Sequence, residues 1–213
     1  MRLEDARSGS PPSDKIQAMS TSAFVHLRLH SEYSVSDGLV RLDAAVARAA
    51  EDHMPALALT DLGNLFGLVK FYRAARAKGV KPLIGADCWV RNETDREKPS
   101  RILLLAANHA GYLRLCALLS RAWLENQSRG RAELRKAWFS ESTEGLIALS
   151  GAHLGDIGQA LSDQQTTLAH QLAQSWAKDF PGRFYLEIQR AGFAQSETLI
   201  ARTVALAKET QLP

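Results

Sequence analysis

The stretch MPALALTDLGNLFGLVKFYRAARAKGVKPLIGAD, residues 54–87, decides the fold prediction. Its ALALT run (56–60) is apolar and of strand length, whereas LFGLVKFYRAARAKG (65–79) has apolar residues at helical spacing. The helix is predicted to end at Gly79, a residue type that favours helix C-termini. KPLIGADCWV (81–90) then reads as a strand. A strand, helix and strand of these lengths predict a right-handed parallel βαβ unit.

The same alternation continues on both sides of this unit. Further strands are predicted at FVHLRL (24–29), RILLLA (101–106), GLIALS (145–150) and RFYLEIQ (183–189), with further helices at 42–52, 110–125, 166–180 and 196–210. Six strands alternating with helices predict an α/β fold, as a closed or nearly closed barrel more than an open sheet. Because the rhythm calls for one more strand after the last helix, we expect the barrel to be truncated before that strand.

The N-terminal residues differ from the rest of the chain. Residues 1–23 mix Ser, Pro, Gly and charges without an apolar period, which predicts a flexible leader before a domain over 24–213. Met1 and Met19 are both possible starts of the natural protein.

Bulk composition excludes several protein classes. Of the 213 residues, 46% are hydrophobic and 23% are charged, which is typical of a globular domain. Cys88 and Cys116 lack CxxC spacing, which argues against a disulfide framework or structural zinc and favours a reducing, cytoplasmic compartment. No apolar run approaches the ~20 residues that cross a bilayer, so no membrane partner is expected. The net charge of +3 does not by itself indicate nucleic-acid binding, and the basic segment 121–136 is either a solvated connection or a contact for DNA or a partner.

Polar residues collect where the predicted strands end. Side chains alternate along a strand, so Arg28 and His30 share one face of the first strand, and Asp37 lies in the loop that follows. The carboxyl ends of barrel strands form one rim, where active sites of such folds are built. Three further strand ends deliver Asp61, Asp87 and His153 to that rim. Each alone is explained as a surface or capping residue, but together they predict a polar site.

Several extended motifs occur in a recognisable order: HLRLHSEYSVSDG (26–38), the 54–87 stretch, LLLAANHAGYLRLCALLSRA (103–122) and EGLIALSG (144–151). They resemble the N-terminal PHP (polymerase and histidinol phosphatase) domain of bacterial DNA polymerase III alpha subunits, from about Phe24 to Pro213. The resemblance implies a distorted (β/α)7 barrel at the front of a much longer chain, with a rim that can bind up to three metal ions.

The resemblance also places the family's metal ligands on this chain. The HxH pair falls on Arg28 and His30, and the aspartate that follows it is kept as Asp37. The histidine of the TDHGN motif is Leu62, and the glutamate after the third strand is Asp87.

Two more ligand positions have changed. The histidine that opens the fourth strand is Arg101, and the Cys or His after the SG pair is Ala152, although His153 is adjacent. The family's closing aspartate and histidine would lie beyond Pro213. We use the term rim for the following residues: Arg28, His30, Asp37, Asp61, Leu62, Asp87, Arg101, Ala152 and His153.

These substitutions predict a degenerate metal site without catalytic residues. Arginine cannot donate an electron pair to a metal, and leucine and alanine have no donor atom. We hypothesise that Arg28 and Arg101 replace the lost metal charge by pairing with Asp37, Asp61 or Asp87. The alternative is a surviving one-metal site through His30, Asp37 and His153.

The functional expectation follows from the resemblance. It implies that the chain is a segment of the replicative, DNA-directed DNA polymerase and that this segment lacks the catalytic aspartates of the polymerase. The segment is then expected to be a structural module that docks the proofreading exonuclease subunit. No cofactor is expected in this segment, whereas the whole polymerase would use Mg²⁺ and contact DNA. The alternative is a metal-dependent PHP phosphoesterase or 3′–5′ exonuclease. A free-standing phosphatase is disfavoured because the resemblance continues through 103–122 and 144–151.

Overall fold

A computed structural model describes residues 24–190, 192 and 196–213, so the predicted leader 1–23 lies outside the described residues. The α-helices are α1 (Leu42–Glu51), α2 (Leu68–Ala77), α3 (His109–Glu125), α4 (Asp156–Ser162), α5 (Thr166–Asp179) and α6 (Ser196–Thr210). The strands are β1 (Ala56–Leu59), β2 (Lys81–Val90), β3 (Ser100–Ala106), β4 (Gln127–Ser128), β5 (Arg131–Leu134), β6 (Leu146–Leu149) and β7 (Phe184–Tyr185). Short 3-10 helices span Glu32–Ser34, Lys136–Ser140 and Ala152–Leu154.

The strands form one mixed sheet in the order β4-β5-β2-β3-β6-β7, with β1 also paired to β2. The central βαβ unit is confirmed, since β1 and β2 are parallel from Ala56 opposite Lys81 to Leu59 opposite Ile84. Gly79 follows α2 with a φ of 74°, a left-handed conformation that glycine adopts without strain. The helix prediction for this unit is therefore correct to within a few residues at each end.

The prediction that strands alternate with helices in parallel βαβ units is wrong at β3. This strand runs antiparallel to both of its neighbours, β2 and β6. The link from β2 to β3, residues 91–99, contains no helix and is shorter than the dozen or so residues that a parallel crossover needs. The start of β3 therefore lies beside the end of β2, and Arg101 pairs with Trp89.

Two predicted strands are reduced in the structure. The segment 24–30 has no strand assignment, but it lies alongside β1. Ala58 N donates to His26 O at 3.0 Å and Thr60 N donates to Leu29 O at 2.9 Å. The predicted strand 183–189 is regular only over Phe184–Tyr185. The sequence reasoning also missed the β4–β5 hairpin and α4.

The two faces of the curved sheet bury different cores. Ile102 and Leu104 of β3 point outward into the main core, which includes Leu118 of α3 and Trp176 of α5. A smaller inner cluster is formed by Ala58, Leu103, Leu105 and Leu149. Because side chains alternate along β3, Arg101 shares the inner face with Leu103. The rim thus lies at one end of the apolar barrel interior.

A third apolar cluster lies beneath α1 and α2. Val46 of α1 and Phe71 of α2 pack there with Leu57 and Leu59 of β1. This packing fixes the strand that carries Asp61 at its end. No helix within the described part of the chain is long and apolar enough to cross a membrane.

Candidate functional site

The strand geometry brings Asp87 and Arg101 together. Asp87 pairs with Leu103 and Trp89 pairs with Arg101 in the antiparallel β2–β3 ladder. Opposite residues of such a ladder point to the same side of the sheet, so both charged side chains face the barrel interior. The segment 24–30, held against β1, supplies Arg28 and His30 to the same place. Reversal of β3 is therefore what places Arg101 at the rim.

Asp87 is the centre of the site and is fully buried. Its Oδ2 accepts hydrogen bonds from Arg28 Nη1 and, at 3.1 Å, from Arg101 Nη1. His30 Nε2 also lies 3.1 Å from this oxygen. Burial alone would raise the pKa of Asp87, but the contact with His30 and the charges of Arg28 and Arg101 hold it below its usual value. Asp87 is therefore an ionised carboxylate inside the fold.

Arg28 connects Asp87 to a carboxylate that the sequence reasoning missed. Its Nε donates to Glu187 Oε1 at 2.7 Å and its Nη2 donates to Glu187 Oε2 at 2.9 Å. Two parallel hydrogen bonds of this kind form a strong, directional guanidinium–carboxylate pair. A signal for Glu187 existed, since it lies in a predicted strand that ends at the same rim.

Arg101 connects Asp87 to Asp37. Its Nη1 lies 3.3 Å from Asp37 Oδ2, and its guanidinium stacks over the Trp89 ring at 4.3 Å from the centroid. His30 Nδ1 lies 3.1 Å from the other Asp37 oxygen. The rim thus alternates positive and negative groups, with both arginines paired to carboxylates as hypothesised.

Of the three alternative carboxylate partners, the arginines pair with Asp37 and Asp87, whereas the contacts of Asp61 in the described part of the chain are with the turn after His30. Its carboxylate accepts from Ser31 N at 2.6 Å, Ser31 Oγ at 3.0 Å and Ser34 Oγ at 3.1 Å. Leu62 N donates to Ser34 Oγ at 2.9 Å, and Leu62 forms a bridge with Asp87. Asp61 therefore fixes the short 3-10 helix Glu32–Ser34, which follows His30. Three hydroxyl or amide donors satisfy its buried carboxylate oxygens.

The two residues after the SG pair lie in the turn Ala152–Leu154. Ala152 is buried at a φ of 48°, and His153 follows it. Burial lowers the pKa of His153, as does the charge of Arg28, whereas Glu187 acts in the opposite direction. His153 is thus close enough to the ion-pair network to feel its charges.

Comparison with known protein families identifies the fold. The family described as "PHP domain" matches residues 26–191. The chain belongs to the PHP domain family. The chain is similar to the N-terminal region of DNA polymerase III alpha subunits. These relatives include the subunits of Pseudomonas aeruginosa, Neisseria meningitidis serogroup A and Escherichia coli.

Identity to these relatives extends over most of this PHP domain. It is 44% over 193 residues for P. aeruginosa, covering 91% of this chain and 16% of the relative. It is 41% over 198 residues for N. meningitidis and 40% over 195 residues for E. coli, covering 92% of this chain and 17% of the relative in each case. The chain thus spans about one sixth of the length of these relatives.

Two solved structures share the fold of this PHP domain. An amidohydrolase from Chromobacterium violaceum, with bound sulfate and no metal, has a TM-score of 0.61 at 17% identity, covering 88% of this chain and 84% of that one. A protein assigned as a metal-dependent phosphoesterase from Bifidobacterium adolescentis has a TM-score of 0.50 at 13% identity, covering 90% and 85%. At these identities the likeness concerns the fold alone.

The rim of this PHP domain does not fit a metal ion. Among the described residues, no group of three or more His, Cys, Asp or Glu side chains is arranged to hold one, and His30, Asp37 and His153 are no exception. Two guanidiniums occupy the centre and would repel a cation. The buried Asp87 Oδ1, which has no hydrogen-bond partner among the described residues, is a single donor and cannot replace a ligand set.

Proposed function

We propose that this PHP domain is the N-terminal segment of a replicative DNA polymerase III alpha subunit and acts there as a structural and docking module. The observation that carries the proposal is 40–44% identity across about nine tenths of the chain to alpha subunits from several bacteria. The longer protein would be the DNA-directed DNA polymerase, using Mg²⁺ and contacting DNA outside this segment, in the cytoplasm.

The geometry of the rim supports a structural role. Hydrolysis of a phosphoester requires a group that activates water and one that stabilises the developing negative charge. The central carboxylate, Asp87, is held ionised by Arg28 and Arg101, and both arginines are engaged with carboxylates. These contacts stabilise one another and engage the acidic and basic side chains that the structure describes at the centre of the rim, His30 included. The rim therefore holds the barrel together.

The proposed partner is the separate proofreading exonuclease subunit, which the family resemblance implies. Surface residues provide apolar area for a contact of this kind, since Leu39, Val35 and Phe66 are strongly exposed around the rim-side loops. Exposed aliphatic and aromatic side chains of this sort contribute to binding when a partner covers them.

Binding of the exonuclease subunit is the direct test. The full-length alpha subunit that carries this segment should bind the purified exonuclease subunit at micromolar concentration or tighter, measured by interferometry. The control is a variant of the same polymerase with Leu39→Asp and Phe66→Asp, which places charges on the proposed surface. Absence of binding by the unaltered polymerase at about 10 μM would contradict the docking role.

A phosphoesterase or 3′–5′ exonuclease activity is the competing function, and its support is the shared fold with the B. adolescentis protein. We expect no hydrolysis of a single-stranded oligonucleotide or a chromogenic phosphodiester with Mn²⁺ or Zn²⁺ present. Turnover that chelation abolishes and that His30→Ala removes would establish this activity instead.

A further inference from the structure

The loop 31–40, which precedes α1, is closed on itself. Glu32 N donates to Val40 O at 2.9 Å, and Ser31 forms a bridge with Val40. Gly38 packs directly against this closure, because a Cβ atom at Gly38 would clash with the backbone oxygen of Ser31. The two ends of the loop therefore meet, and the residues between them form a compact projection beside the rim.

Val35 has a strained backbone in this projection. Its φ is 61° and its ψ is −54°, and Ser36 N donates to Ser34 O at 2.6 Å across it. This is the geometry of a γ-turn with positive φ, which is rare and unfavourable for a β-branched residue. Burial of Val35 does not offset the strain, since this residue is 83% exposed. Such a backbone persists only where the surrounding residues fix it.

The loop directs its polar side chains inward and its apolar side chains outward. Ser31 and Ser34 are buried, and their hydroxyl groups donate to the carboxylate of Asp61. Val35 and Leu39, in contrast, are 83% and 94% exposed. Serine is usually exposed and large aliphatic residues are usually buried, so this loop reverses the common arrangement. The fold thus maintains a strained loop that presents apolar side chains to solvent.

Asp37 attaches this loop to the rim. Its Oδ2 lies 3.3 Å from Arg101 Nη1, and its Oδ1 lies 3.1 Å from His30 Nδ1. Arg101 is itself fixed from the barrel side by Asp87 at 3.1 Å and by stacking over the Trp89 ring. The loop is therefore joined at Asp37 to a guanidinium that the sheet holds in place.

We propose that Asp37, through Arg101 and His30, is a positioning residue for the loop 31–40. Its contacts hold the loop in the strained conformation that displays the apolar side chains, so the loop is already ordered before a partner binds. Preorganisation of this kind raises affinity, because less conformational entropy is lost on binding. The effect on affinity rests on the docking function proposed above, whereas the effect on the order of the loop does not.

Hydrogen exchange of the full-length alpha subunit that carries this segment measures the order of the loop. The informative peptide covers 31–40, where the amides of Glu32 and Ser34 are hydrogen-bonded. The reference peptide covers 100–106 in β3, which is paired on both sides. Asp37→Asn keeps the shape of the side chain and removes its charge. Exchange in 31–40 should become at least threefold faster in this variant, while exchange in 100–106 stays within twofold.

Asp43 provides a matched control just beyond the loop. Its side chain is 73% exposed and lies 3.9 Å from Lys70 Nζ. Asp43→Asn removes the same charge without altering a rim contact, so exchange in both peptides should stay within twofold. Asp37→Glu, which retains a carboxylate, should accelerate exchange in 31–40 less than Asp37→Asn does.

Affinity for the exonuclease subunit measures the consequence for docking. The polymerase with Asp37→Asn should bind the purified exonuclease subunit at least threefold more weakly than the unaltered polymerase, measured by interferometry. Asp43→Asn should stay within twofold, which excludes a general effect of surface charge. If the exchange in 31–40 accelerates and the affinity does not fall, the loop is positioned by Asp37 but its order does not set the affinity, and that half of the proposal is refuted.

Two exchange results would overturn the positioning role of Asp37. One is an acceleration below threefold in 31–40 for Asp37→Asn. The other is an equal acceleration in 100–106, because a uniform change reports a loss of global stability and no local opening. Failure of the unaltered polymerase to bind the exonuclease subunit contradicts the docking function and the effect on affinity, whereas exchange in 31–40 still decides whether Asp37 positions the loop.

Discussion

Two aspartates on opposite sides of the sheet show what decides the charge of a buried carboxylate. Asp87 in the rim is fully buried, yet its pKa is lowered. Asp156, at the start of α4, keeps some exposure, yet burial raises its pKa. Depth of burial alone predicts the opposite order. The partners explain the difference, because Asp87 has two guanidiniums within hydrogen-bonding distance.

The partners of Asp156 are mostly neutral. Trp176 Nε1 donates to its Oδ2 at 2.9 Å, and Ile157 N donates to its Oδ1 at 2.8 Å. The ammonium group of Lys136 lowers the pKa of Asp156, but it lies over the Trp176 ring, and burial remains the larger effect. An indole and an amide satisfy the carboxylate oxygens without compensating the charge. The rim therefore depends on its arginines in a way that the Asp156 site does not depend on a cation.

Removal of Arg28 should have the largest effect. Arg28→Ala leaves the buried Asp87 and the partly buried Glu187 without their shared cation. We expect a loss of about 3–5 kcal/mol in the free energy of unfolding, measured by urea denaturation. The control is Arg48→Ala, since Arg48 forms an exposed pair with Asp52 and its loss should cost less than ~1 kcal/mol. Equal losses in the two variants would contradict the importance of the buried network.

The same isosteric change at both aspartates tests the comparison itself. Asp87→Asn removes the negative charge between Arg28 and Arg101, so unfolding should become easier by about 2–3 kcal/mol. Asp156→Asn keeps an oxygen that can accept from Trp176 and removes a charge that burial disfavours. Its stability at pH 7 should stay within about 1 kcal/mol of the unaltered chain. A larger loss in the free energy of unfolding for Asp156→Asn than for Asp87→Asn would contradict the interpretation that the charge matters more at Asp87 than at Asp156.

Part of this comparison was accessible from the sequence. The alternation in residues 54–87 predicts β1, α2 and β2, because their apolar periods are long and unambiguous. Arg28 and Arg101 are recognisable from the sequence as partners of carboxylates. Both are predicted to lie beside aspartates at strand ends, and those carboxylates are the acceptors available to a guanidinium there.

Other features depend on tertiary structure that local patterns do not encode. The direction of β3 follows from the short link 91–99, a signal outweighed by the expected rhythm of parallel strands. Glu187 lies in a segment whose regular pairing stops at Tyr185, so its position depends on contacts with distant residues such as Ser150. Asp156 begins a seven-residue helix, which is too short to give a clear apolar period.

Ionisation of the two aspartates should change the stability of the fold in opposite directions as the pH is varied. The folded-state pKa of Asp87 lies below its unfolded value of about 3.9, so its contribution is present above that pH and is lost as the pH falls through the folded-state pKa. The folded-state pKa of Asp156 is raised, so its ionisation weakens the fold as the pH rises from about 4 through that pKa. The stability of Asp156→Asn relative to the unaltered chain should therefore increase from pH 4 to pH 7. Urea midpoints at four pH values measure this difference, and a difference independent of pH would contradict the raised pKa.

The smallest expected effect is that of divalent metal. Because Arg28 and Arg101 occupy the centre of the rim, Zn²⁺ or Mn²⁺ at 100 μM should shift the melting temperature of the unaltered chain by less than about 1 °C. The double variant Arg28→His/Arg101→His removes two positive charges and supplies imidazole nitrogens beside Asp37 and Asp87. It should melt at a higher temperature with Zn²⁺ than with a chelator, because a ligand that binds only the folded state stabilises it. A metal-dependent shift of several degrees in the unaltered chain would show that His30 and its carboxylate neighbours bind a cation in spite of the two guanidiniums.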